Sequence, residues 1–152
     1  SRGSIMAHVR KLLRDNLATA LTGLTTTGSN VYKSRVYPIA SNKLPGLLIY
    51  SKDEETEYNS MGLPRIQERT ARFTLEVYVK GVSGYDDSID QICLEIEEAI
   101  YANITLGGYA ANTTVTSFDA DFSGDGDQPA GLATLTVDVL YRVREDNPDV
   151  AI

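Results

Sequence analysis

One cysteine and one histidine are all that this 152-residue chain holds of the two residue types most used for zinc and for nucleophilic catalysis, and tryptophan is absent. With Cys93 alone there is no internal disulfide, no CxxC redox pair and no cysteine-rich zinc site, and a reducing compartment suits the composition. Ser-His-Asp or Cys-His chemistry would have to use His8, which reads instead as a surface or helix-end histidine. Long apolar runs are missing too. Nothing approaches the roughly 20 residues of a membrane helix, and no short apolar segment with a cleavage site follows the N-terminus, so a soluble protein without Sec export or membrane contact is expected. Basic residues are the minority, 14 against 21 acidic, for a net charge of -7. That balance opposes broad phosphate neutralisation and a tight grip on nucleic acid. The glycine-containing stretches "GVSGYDD" and "LGGYAAN" hold neither GxGxxG nor GxxxxGK[ST], so phosphate-cradling loops have no support.

What the chain does contain is ordinary globular material, 42% apolar and 23% charged, in a length that suits one domain. That domain is expected over residues 6–152, with residues 1–5 of "SRGSIMAHV" reading as a cloning remnant. From Ala7 to Leu24 the apolar residues Val9, Leu12, Leu13, Leu17, Ala20, Leu21 and Leu24 recur at helical spacing, and "TGLTTTGSN" breaks the period. A second helix is expected over 83–103, with Ser83, Asp86 or Asp87 as N-cap and Ile89, Ile92, Cys93, Ile96 and Ile100 on one stripe, where the Cys93 thiol acts as a small hydrophobe. Strands are expected at 31–39, 45–51, 72–81, 113–122 and 131–144. The third and fifth alternate strictly, Phe73, Leu75, Val77 and Val79 in one and Ala133 to Val143 in the other. Residues 52–70 lack an apolar period and read as an exposed β-arm or long hairpin loop. The order αβββαββ implies an α+β fold, a mostly antiparallel sheet with two helices packed on one face.

Two clusters invite chemistry. In "SFDADFSGDGDQPAG", Asp119, Asp121, Ser123, Gly124, Asp125 and Asp127 partly match a calcium loop, but its closing bidentate glutamate is replaced by Ala130 and the flanking helices are missing. The stretch lies between two strands, and a solvated turn is the preferred reading; Asp119, Asp121, Asp125 and Asp127 remain weak metal candidates. On the second helix, Asp86, Asp87, Asp90, Glu95, Glu97 and Glu98 lie opposite the apolar stripe, which suits a solvated or partner-facing surface better than a catalytic cleft. No enzymatic activity and no cofactor are expected. A metal-binding α+β module centred on the aspartates, or a carboxylate-dependent hydrolase or nuclease, is the competing class. The arm, the aspartate loop and the tail "EDNPDVAI" are surplus to a lone domain and suit assembly.

An N-terminal amphipathic helix, "RVYPIASNKLPGLLIYSKDEETEY", "RFTLEVYVKG", the acidic helix "DDSIDQICLEIEEAI" and a terminal "LTVDVLYRV" together resemble the tail-terminator proteins of long-tailed bacteriophages, from Met6 to about Arg144. The resemblance implies a hexameric ring that caps the tail tube, ends its polymerisation and offers its other face to a head-completion or neck protein. It places the protein in the virion, assembled in the host cytoplasm, and six copies at -7 would let DNA pass the pore without sticking. Head-to-tail joining proteins of the same fold are the alternative. The interface candidates are Asp53, Glu54, Glu55, Glu57, Arg65, Glu68 and Arg69 on the arm and Asp125 and Asp127 in the loop.

Overall fold

A computed structural model describes residues 8–28, 30–33, 46–58, 61–80, 85–123 and 130–152, with side chains at 80, 85–86, 121–123 and 130–132 excepted. Its elements are α1 (Val9–Leu21), β1 (Val31–Tyr32), β2 (Gly46–Tyr58), β3 (Ile66–Lys80), α2 (Tyr85–Ala102), β4 (Asn112–Ser123), β5 (Ala130–Arg144) and β6 (Asn147–Ala151). The strands form one six-stranded sheet in the order β1-β2-β3-β5-β4, with β6 on β5. All pairings are antiparallel except β1 with β2. The fold is α+β, with one strand more than the sequence implied.

The helices form where apolar residues recur every three or four positions. In α1 the buried residues are Val9, Leu13, Leu17, Ala18 and Leu21, and in α2 Ile89, Ile92, Cys93, Ile96 and Ile100. A single hydrophobic cluster joins both sets to Phe73, Leu75, Val77 and Val79 of β3 and to Ala133, Leu135, Val137, Val139, Tyr141 and Val143 of β5. The strict alternation of those two strands is thus the sheet's inner face. Helix α2 gives way to the turn 103–109, where Leu106 takes φ 46° yet is almost fully buried. Burying a leucine is worth about 1.5–3 kcal/mol, which outweighs the roughly 1–2 kcal/mol that the left-handed conformation costs. Next to it Gly107, at φ 77°, lies so near α1 that a Cβ would meet Asn16 Oδ1 at 2.8 Å.

The arm expected at 52–70 is the distal half of a hairpin. Pairing of β2 with β3 extends from Gly46↔Tyr78 to Tyr58↔Gln67, with one register shift between Ser51 and Asp53. Lys52 is the extra residue of that bulge, and it reverses the faces of everything beyond it. Leu47 and Ile49 point into the core, whereas past the bulge Glu54 takes the inward side, opposite Ala71. A second bulge at Thr116 does the same to β4, so that Phe118 lines up with Leu135 and Asp119 with Thr134. The tail "EDNPDVAI" supplies β6, which takes the edge of β5 beyond the end of β4. Of the strand expected at 31–39 only Val31–Tyr32 is a strand among the described residues; 34–39 lie outside them, as does Ser83.

Candidate functional site: the hairpin arm and the sheet edges

The inward turn at Lys52 places a carboxylate at the margin of the core. Glu54 accepts a hydrogen bond from the Tyr141 hydroxyl and another from Arg10 Nη1 at 3.0 Å, and Arg69 Nη1 lies at 3.7 Å. Its side chain is 10% exposed and that of Arg69 14%. Arg69 also donates to Gln67 Oε1 through Nε (3.1 Å) and Nη2 (2.6 Å). Tyr141 is fully buried, and burial together with its bond to Glu54 holds the phenol well above its ordinary pKa. Glu54 and Arg69 therefore spend their charge on fastening the arm to α1 and β5.

His8 ends this cluster as the N-cap of α1. Its Nδ1 accepts from the Arg10 backbone N–H at 3.1 Å. A neutral ring accepting at Nδ1 carries its proton on Nε2, so the approach of Arg69 Nη1 to Nε2 at 3.2 Å is a contact between two donors. Burial, then the charge of Arg10, lowers the pKa of His8 and keeps the cap neutral. The lone histidine is a helix cap.

On the opposite face of the arm the charges are paired across strands. Arg72 Nη1 reaches Asp53 at 3.0 Å and Glu55 at 3.2 Å, and its Nε lies 3.6 Å from Asp138. Glu68 meets Arg142 at 3.0 Å. Such cross-strand pairs, repeated along the arm, favour strand pairing in a stretch with no apolar period. Glu57 is exposed near the end of β2. At the turn the Arg65 guanidinium lies 3.9 Å over the Tyr58 ring and pairs with Glu145 at 3.1 Å. Backbone bonds run both ways here, Arg65 N–H to the Glu145 carboxylate and Glu145 N–H to the Arg65 carbonyl, each 2.9 Å. These bonds from Arg65 depress the Glu145 pKa. A stem so fastened presents Met61, 97% exposed, and Leu63, 82% exposed, at its tip.

The remaining carboxylates separate into two kinds. Glu95 accepts from Thr26 N–H (3.0 Å), Thr26 Oγ1 (2.7 Å) and Gln91 Nε2 (2.8 Å). Burial pulls its pKa up, but those bonds outweigh it and lower the value. It pins the loop after α1, a role its place in an acidic run conceals. Asp87, Asp90, Glu97 and Glu98 are exposed. Beside them a groove of about 330 Å³ between α2 and β4 is lined by Asp90, Cys93, Leu94, Glu97, Val115, Phe118 and Leu135.

Asp119 is exposed on β4 and faces away from the core with Thr134. Asp121 occupies the same strand two residues on, with its side chain undescribed, and Asp125 and Asp127 lie outside the described residues. Among the described residues no three His, Cys, Asp or Glu side chains converge on a metal-sized site. No described helix is long and apolar enough to cross a membrane.

No protein-family model matches the chain, and neither does any curated protein. Among solved structures, a chain from the virion of a native gene transfer agent (GTA) particle is similar over 91% of this chain and 96% of its own, at 14% identity and a TM-score of 0.41.

The groove makes Cys93 testable. Burial, then the negative charges of Glu97 and Asp90, push its thiol up to about 11. Since the thiolate is the reacting form, its population at pH 7.5 falls on the order of a hundred-fold below that of an ordinary cysteine. A colorimetric thiol titration should show native Cys93 reacting at least ten-fold more slowly than the urea-unfolded chain; equal rates would place the thiol in solvent.

Proposed function

We propose that this chain is a structural protein of a phage-type virion, a single-domain protomer of a hexameric ring that caps the tail tube and receives the head-completion protein. The observation that carries the reading is the hairpin tip. Met61 and Leu63 are among the most exposed apolar side chains described, on a stem held by Arg65, Glu145 and the Arg72 and Glu54 clusters. Rigid presentation of bare apolar residues reduces the entropy lost on docking and suits a surface met in assembly. The part of β2 beyond its short pairing with β1 carries Lys52, Asp53, Glu55 and Glu57, charges of the kind that block indiscriminate strand addition. The sequence resemblance to tail terminators supplies the partner: the last ring of a tail tube. The function is mechanical, without turnover or cofactor.

Stem charges are poor probes, because Glu54, Arg69 and Arg72 hold the arm to its own protomer. The tip is the better one. Tail-tube protein polymerised with the wild-type chain should give tubes of limited length with one end closed, seen by electron microscopy, while Met61→Ser/Leu63→Ser should fold normally and leave tubes as long as in its absence. Wild-type protein without effect on tube length would refute the capping role; a fully active tip variant would remove the tip from it.

A further inference from the structure

The two helices carry opposite charge and cover different strands of the sheet. Helix α1 packs against β1, β2 and β6, and α2 against β3, β4 and β5. Helix α1 exposes Arg10 and Lys11, with side chains 44% and 57% exposed, and Lys33 beside β1 adds a third cation at 47%. With Arg14 and Tyr50, the two lysines line a groove of about 340 Å³ between α1 and β2. Asp15 is the one carboxylate there; it bridges Lys11 (2.7 Å) and Lys33 (2.8 Å), and their bonds depress its pKa. Helix α2 contains no basic residue at all. Its exposed positions Asp87, Asp90, Leu94, Glu97, Glu98 and Tyr101 follow at three- and four-residue steps, a stripe with Leu94 49% and Tyr101 79% exposed among acids. A helix offering two apolar anchors seven residues apart amid like charges has the form of a groove-binding face.

Resting on the reading that copies of this chain assemble, we infer that the acidic stripe of α2 in one copy seats on the basic groove between α1 and β2 of a second copy. The two surfaces are complementary within one chain. A chain of net charge -7 repels its copies on average, yet the cations of this groove lie between α1 and β2 while the all-acidic helix lies over β3, β5 and β4, so an orientation that brings the two together is attractive. Because the two surfaces differ, the contact is heterologous: each copy keeps one free face of each kind, and repetition closes a ring or extends a filament. Leu94 and Tyr101 supply apolar burial while Asp90 and Glu97 meet Lys11 and Lys33.

The test uses two variants of the whole chain, Lys11→Glu/Lys33→Glu and Asp90→Lys/Glu97→Lys, all at exposed positions. By sedimentation velocity at low ionic strength the wild type should associate, and each variant alone should weaken association at least ten-fold. Mixed in equal amounts they should assemble again, since the reversed groove of one now suits the reversed helix of the other. Circular dichroism checks that both fold; if a double variant does not, Lys11→Glu and Glu97→Lys make the same exchange singly. Wild-type protein that stays monomeric, variants that associate like the wild type, or a mixture that fails to assemble would each overturn the inference. A wild-type ring indifferent to all four reversals would do so while leaving the virion reading intact.

Discussion

Glu54→Ala should destabilise the fold by about 2–3 kcal/mol, although the residue lies in a stretch that reads as a charged surface arm. Removing the carboxylate strands the buried Tyr141 hydroxyl and takes a counter-charge from Arg69 and Arg10. A donor left without its partner in the core suffers the full desolvation penalty, whereas removing both partners together relieves part of it. Tyr141→Phe combined with Glu54→Ala should therefore lose measurably less than the sum of the single losses, by at least 0.5 kcal/mol. Urea unfolding of the four proteins gives the coupling directly. Additive losses would mean that Glu54 does not stabilise Tyr141.

Phe73→Ala should have a larger effect, about 3–5 kcal/mol. Phe73 is fully buried in the middle of β3, paired with Val137 on one side and Ser51 on the other, at the row before the bulge. Its neighbours belong to fixed strands of the central sheet and cannot close the space a ring leaves, so the cavity persists. The midpoint of urea unfolding should fall while the slope stays constant. A loss below 1 kcal/mol would mean that the site collapses, and that the core is less rigid than its strand pairing implies.

Alternation made β3 from Ala71 onward and β5 legible, because alternate residues of each lie in the core and those between them are mostly polar. The helices were legible for the same reason at a different period. The bulges were not. Lys52 and Thr116 each insert one residue, and an inserted residue changes which side chains face inward without changing composition. Glu54 consequently reads from sequence as a solvated arm residue, and Phe118 reads no differently from its neighbours. Strand β6 escaped notice because Pro148 and the short, weakly alternating run give no strand signal; its place is decided by the edge of β5 that β4 leaves open. Glu95 could not be distinguished from Glu97 and Glu98 either, since its partner Thr26 is 69 residues away. Of the arm candidates, Asp53 and Glu55 share Arg72 as partner, Glu68 pairs with Arg142 and Arg65 with Glu145. The apolar tip, Met61 and Leu63, was missed because an isolated Met-Gly-Leu-Pro in a polar stretch looks like a turn and only its exposure on a fastened stem marks it.

Whether this protomer joins copies of itself into a cap is decided by its absolute mass in solution, measured by light scattering behind size exclusion over a wide concentration range at low salt. A ring-forming protomer should give a species near six times 16.6 kDa that grows with concentration and gives way to smaller species at high salt. A mass of 16.6 kDa at every concentration and salt would contradict it.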